Sequence, residues 1–251
     1  MRTSRLALFI VYCLGVSVGI ARAESSLPNF QKANAAYRGG DFSGAGKIYE
    51  SLIFQGLQDA SVYYNLGNAY FKQNRIGPAV LNYEKALRLR PRDRDILANL
   101  NYMRGLLEYR IEDKRNWYLK ALESVLGYFT FEEIGVVSLA LGLSFWISCF
   151  MLLLVHRDSK WGWKQKTLMV VTFTVLSLWF FKGIGSKAIR EAVVLKPQAS
   201  VRYGPSYKDQ VAFKLGEGMK VTIKVTWEDW LRVVLVNGET GWMAQEDIGA
   251  I

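Results

Sequence analysis

Few side chains in this sequence could do covalent chemistry, and they are poorly placed for it. The 251 residues include one histidine, His156, and two cysteines, Cys13 and Cys149. Glu132 and Glu133 invite comparison with the paired carboxylates of general acid–base catalysis. Thr130, three residues before Glu133 and just ahead of an apolar run, instead completes a capping-box pattern, which assigns both acids to a helix N-terminus. His156 closes that apolar run and Cys149 lies within it, so neither a histidine–cysteine metal site nor a triad with a buried base is expected. With Cys13 in a segment expected to be removed, Cys149 has no disulfide partner in the mature chain. No catalytic residue, cofactor or metal is therefore assigned. The chemistry on offer is non-covalent. The net charge of +10, from 32 Lys and Arg against 22 Asp and Glu, is interspersed with acids rather than massed on one face. That argues against nucleic acid as a partner and for solubility beside an anionic membrane.

The elements that would position a binding surface follow in order. Arg2 and Arg5, the apolar stretch 6–20 and Ala21-Arg22-Ala23 have the layout of a secretory signal peptide with cleavage after Ala23. The run 60–93 then matches the tetratricopeptide repeat (TPR) pattern through Tyr63, Leu66, Gly67, Tyr70, Ala79, Tyr83 and Pro91. Gly67 and Ala79 are small where two helices cross closely, and Pro91 ends the second helix. One repeat earlier Gly40, Phe42, Ala45, Tyr49 and Leu52 fit the same register more loosely. One repeat later Asp93 is placed to cap a closing helix from Arg94 to about Glu108. Stacked hairpins leave a concave groove lined by first helices. Here that face would carry Asn34, Asn65, Asn68, Lys72 and Asn99, residues suited to a peptide ligand. Phe30 and Asp95 stand where a carboxylate clamp of the best-known TPR type would need cations.

Residues 134–155 carry no charge and at ~1.5 Å per residue reach about 33 Å, enough for a hydrocarbon core. A second apolar run covers 167–185, interrupted by Lys182. Between them lies a short loop with Arg157, Lys160, Lys164 and Lys166, whose basic character belongs on the cytoplasmic side. The stretch 117–128 is amphipathic and flanked by aromatics, as a helix in the membrane interface would be.

From Ala192 the pattern becomes alternating, with five short strands expected and Gly204-Pro205 and Asn237-Gly238 as turns. Val201-Arg202, Gly204-Pro205, Gly218, Trp230, Val233 and Gly241-Trp242 together resemble the bacterial SH3 (SH3b) family. The resemblance implies a small closed barrel with Trp230, Val233 and Trp242 packing its core. The surface aromatics Tyr203, Tyr207 and Trp227 are the candidates for a binding face.

The sequence thus predicts a multidomain membrane protein: an all-α TPR superhelix, two transmembrane helices and a small all-β SH3-like barrel. The expected boundaries are signal peptide 1–23, TPR domain 24–115, interfacial linker helix 116–132, first span 133–155, cytoplasmic loop 156–166, second span 167–185 and SH3-like domain 190–251. That domain order resembles the BatE-type proteins of the aerotolerance operon. The resemblance implies a scaffold on the outer side of the cytoplasmic membrane, with von Willebrand A–domain membrane proteins as partners. Peptidoglycan peptides are the alternative ligand.

Overall fold

The computed structural model describes residues 27–106, 115–155, 167, 171–175 and 190–251. The expected signal peptide, the basic loop and most of the second apolar run lie outside the described residues.

Residues 27–38 form the first helix, α1. It is followed by α2 (Phe42–Phe54), α3 (Ala60–Lys72), α4 (Ile76–Leu89) and α5 (Arg94–Leu106). Local chemistry sets the starts of these helices. Asp41 caps α2 through the Gly44 amide and Asp59 caps α3 through Ser61 and Val62. Asp93 accepts from the amides of Asp95 and Ile96, the role expected of it. The looser first repeat packs as closely as the second: Ala45, Tyr49 and Leu52 are as buried as Ala79, Tyr83 and Ala86. Gly67 is where the two helices of the second pair approach, since a Cβ there would stand 2.8 Å from the Tyr83 ring.

Helices α6 (Trp117–Tyr128) and α7 (Phe131–Val155) come next. The capping box forms: the Glu133 amide donates to Thr130 Oγ1 at 3.1 Å and the Thr130 amide donates to Glu133 Oε2 at 2.9 Å. Glu133 also pairs with Arg92, so its carboxylate serves the helix end and a link to the α4–α5 corner. Val136, Val137, Leu139, Leu143 and Ile147 on α7 are exposed. Ser138 is buried, as is Thr172 in a helical stretch at 171–175, and the Thr172 hydroxyl donates to the Leu141 carbonyl at 3.5 Å. Among the described residues no single helix is long and apolar enough to cross a membrane. The pair Lys120–Tyr128 and Glu132–Ser144, bent by 82°, meets that length and composition jointly.

The C-terminal part is one antiparallel sheet of seven strands: β1 (Arg190–Val194), β2 (Ala199–Arg202), β3 (Val211–Leu215), β4 (Lys220–Trp227), β5 (Trp230–Val234), β6 (Thr240–Ala244) and β7 (Ile248–Ala250). The order is β3-β2-β6-β5-β4-β1-β7, with β3 and β7 outermost, and this antiparallel sheet fits the SH3-like fold expected from the sequence. Strands β3 and β7 were not expected. The first lacks a clean in–out alternation and the second is only three residues long. Val194, Val201, Val221, Leu231, Val233 and Met243 fill the inner face.

Helix α4 packs on α3 and also lies against β1 and β7, covering the β7 edge. Its N-cap residue, Arg75, makes no side-chain cap. Glu217, 140 positions further along, accepts from the Gly77 amide at 3.0 Å. A carboxylate there satisfies an orphan amide and the positive end of the helix dipole. Near the middle of α4, Glu84 is buried, with a side chain 7% exposed. It accepts from Arg104 at 2.9 Å and lies 3.4 Å from Lys220 Nζ. Lys220 in turn pairs with Glu191, and Glu191 with Arg88, whose guanidinium donates to the Ile251 carbonyl at 2.7 Å. Alternating charges therefore run from α5 through α4 into the sheet.

Candidate functional site

Two surfaces are built from the residue types the sequence singled out. The first is the groove of the helical part. Asn34 Oδ1 accepts from the Tyr49 hydroxyl at 2.6 Å and from Asn65 Nδ2 at 3.0 Å. Asn68 Oδ1 accepts from the Tyr83 hydroxyl at 2.6 Å and from Asn99 Nδ2 at 3.1 Å. Asn68, Tyr83 and Asn99 are thus the same constellation as Asn34, Tyr49 and Asn65, displaced by one repeat. Each tyrosine hydroxyl rises from a second helix to hold an asparagine of a first helix, which fixes the amide plane. Asn68, Lys72 and Asn99 share a pocket of about 200 Å³ with Tyr37, Phe71 and Tyr102. Asn34 and Asn65 lie one repeat away from it. Phe30, at a clamp position without a cation, packs against Tyr49 with ring centroids 6.1 Å apart.

Burial raises the phenol of Tyr49 to about 12. It also raises Tyr70 to about 12, with the bond to Glu50 adding to the effect, and moves Tyr83 up as well. The unfolded chain releases these protons near pH 10, whereas the folded chain keeps them. The stability tied to these phenols is therefore fully present below pH 10 and is lost as pH climbs from 10 toward 12. We expect a cooperative loss of helix in that window, read by circular dichroism alongside tyrosinate absorbance. Replacing Tyr83 with Phe should make the loss shallower and cost about 1 kcal/mol at neutral pH, the worth of the hydroxyl's bond to Asn68.

The second surface is the outer face of the sheet. In β5, Leu231 and Val233 point inward, which places Trp230 and Arg232 outside. Arg202, Trp242 and Arg232 stand abreast on β2, β6 and β5, so one indole lies between two guanidinium-bearing neighbours. One step along, Trp227 is directly opposite Trp230. The Tyr207 ring covers Trp230 edge-on, 4.9 Å between centroids, and Arg202 lies 5.9 Å from the Tyr207 ring centre. Val233 and Trp230 are both buried, as expected of core residues, Val233 in the inner cluster and Trp230 from this face; Trp242, also expected in the core, lies on this face. Trp230 is buried because Tyr207 covers it, and Trp242 is half-buried. Tyr207 and Trp227 meet on this face. Tyr203 is exposed on the β2–β3 connection, and among the described residues it makes no ring contact with them.

Residues 60–93 match the tetratricopeptide repeat and residues 196–249 match the bacterial SH3 domain. A tetratricopeptide repeat and a bacterial SH3 domain are thus present in the chain. Comparison with curated proteins finds no match. Both domains are binding and scaffold domains, and the two surfaces suit that role: an amide-lined groove on the TPR part, an aromatic and arginine face on the SH3 part. Among the described residues no cluster of His, Cys, Asp and Glu is arranged to hold a metal ion. Sequence reasoning missed Arg202, Arg232 and Trp242 as residues of this face. The signal lay in the pleat of a strand: with Leu231 and Val233 on one face of β5, Trp230 and the polar Arg232 fall on the other.

Proposed function

We propose that this chain is a membrane-anchored scaffold that holds protein partners on the outer face of the cytoplasmic membrane, through its TPR groove and its SH3 face. The observation that carries the reading is the junction of α4 with β1 and β7. It joins the two domains while leaving both candidate surfaces open. It also constrains topology, because domains in contact lie on one side of a membrane. The chain between them then crosses an even number of times, and it contains two apolar runs. The exposed apolar side chains of α7, with buried Ser138 and Thr172 at its contact with residues 171–175, fit a pair of spans facing lipid and touching through small polar residues. The leader-like N-terminus and the basic loop support the outer side.

The resemblance to BatE-type proteins points to von Willebrand A–domain membrane proteins as the partners. Crosslinked pull-down from membranes, using the full chain beside Lys72→Glu and Trp227→Ala, tests this. We expect such proteins to be recovered, and each surface variant to lose its own subset. Recovery unchanged in both variants, or no specific protein at all, would refute the reading. The Arg202–Trp242–Arg232 row favours one second ligand, the carboxylate-bearing peptides of the cell wall. Binding to purified sacculi that is lost in Trp227→Ala would identify it.

A further inference from the structure

Helix α6 presents a physical problem that the other described residues do not solve. It has 12 residues, a length at which an isolated helix is marginal in water. Every described side chain from Trp117 to Tyr128 is exposed except Leu126, which is half-buried. Its apolar residues are nevertheless ordered on one face. Tyr118, Leu122 and Val125 follow the four-then-three spacing of a single stripe, while Glu123, Ser124 and Gly127 lie opposite. Trp117 and Tyr128 stand at its two ends. A helix of this kind is stable when something covers the stripe.

We infer that the cover is the lipid–water interface, so that α6 lies in the membrane plane as a second anchor. This rests on the reading of α7 as a span, and the geometry follows from it. The chain bends by 82° between Lys120–Tyr128 and Glu132–Ser144. If α7 runs along the bilayer normal, α6 runs nearly parallel to the surface. Its terminal aromatics then sit at headgroup depth, where such rings partition, and its polar face looks outward. The α4–α5 corner is fixed to the same point: the Arg92 guanidinium pairs with Glu133 and lies 5.4 Å from the centre of the Tyr128 ring. The helix therefore sets the height and tilt of the TPR groove above the membrane, which a single span free to rotate does not.

The test uses the full chain with Cys13 and Cys149 replaced by Ser, reconstituted in phosphatidylethanolamine–phosphatidylglycerol vesicles. Environment-sensitive labels are placed singly through Leu122→Cys, Val125→Cys or Glu123→Cys. We expect the labels at 122 and 125 to shift to the blue. They should be quenched several-fold more by shallow doxyl lipids than the label at 123, which stays open to aqueous iodide. Equal iodide access at all three positions would overturn the inference, and so would protection at 122 and 125 without lipid quenching, the signature of a protein cover. Flotation of the vesicles separates the two levels of the reading. Chains that fail to float, or that alkali strips off, would sink the membrane anchor itself; chains that float with an iodide-open α6 would sink the in-plane helix alone.

Discussion

In a Gly77→Val chain the SH3 domain should separate from α4. A Cβ at position 77 would stand 2.7 Å from the Val194 carbonyl oxygen and 2.8 Å from Leu195 Cα. Both are backbone atoms of the opposing domain and cannot rotate out of the way. Helix propensity opposes this effect weakly, since Gly near a helix start is worth up to about 1 kcal/mol less than most residues. The clash wins because packed backbones yield only by moving apart. Separation also withdraws Glu217 from the Gly77 amide and breaks the chain of charges from Arg104 to Arg88. The readout is hydrogen exchange. Amides in the first turn of α4 and in β7 should exchange many-fold faster, while β2, β5 and β6 keep native protection. Glu217→Gln should show the same pattern at the helix start alone, costing about 1 kcal/mol, as the loss of a helix cap does. Native exchange at α4 in Gly77→Val would mean that the two domains are not in contact in solution.

Gly67→Val should be the most damaging single change in the TPR part. The new Cβ would meet two carbons of the Tyr83 ring at 2.8 Å and the Ala79 carbonyl at 3.3 Å. Tyr83 cannot swing aside without giving up the hydroxyl bond that orients Asn68. A side chain forced into a closed core costs ~1–3 kcal/mol, and the lost polar pairing adds about 1 kcal/mol. Against a typical domain stability of ~5–15 kcal/mol, such a loss is large enough to lower the denaturant midpoint markedly. Because Asn68 and Asn99 share the pocket with Lys72, ligand capture should fall along with stability. Gly105→Val, where an added Cβ meets nothing within 4 Å, is the control and should stay near the native midpoint.

The parts of the fold legible in the sequence are those written in local rules. Asp93 announced the start of α5 and Thr130 with Glu133 announced α7, because caps depend on residues a few positions apart. The small–large pattern of Gly67, Ala79 and Tyr83 disclosed the helix pair, because a repeat's internal contacts recur with its period. The junction was hidden for the same reason. Gly77, Glu84 and Arg88 lie on the side of α4 turned away from α3, where a repeat pattern specifies nothing, and their partners Glu217, Lys220 and Ile251 are over 130 positions away. The groove asparagines were legible as polar residues on first helices, but their mutual bonding was not. That depends on Tyr49 and Tyr83 reaching across from second helices. Trp242 stands outside because the pleat of β5 and β6 puts Leu231 and Met243 on the inner face, whereas Trp230 is buried from the outer face, under Tyr207.

The bond between Glu217 and Gly77 also dates the molecule's completion. The acid that finishes α4 is made 140 residues after the amide it receives. At roughly 5–20 residues per second, the repeat waits on the order of ten seconds with one helix end unsatisfied. The bond closes only once both domains are made and in contact. A chain whose two domains fail to meet keeps a frayed helix start that proteases can recognise, so the junction doubles as a check on completed folding.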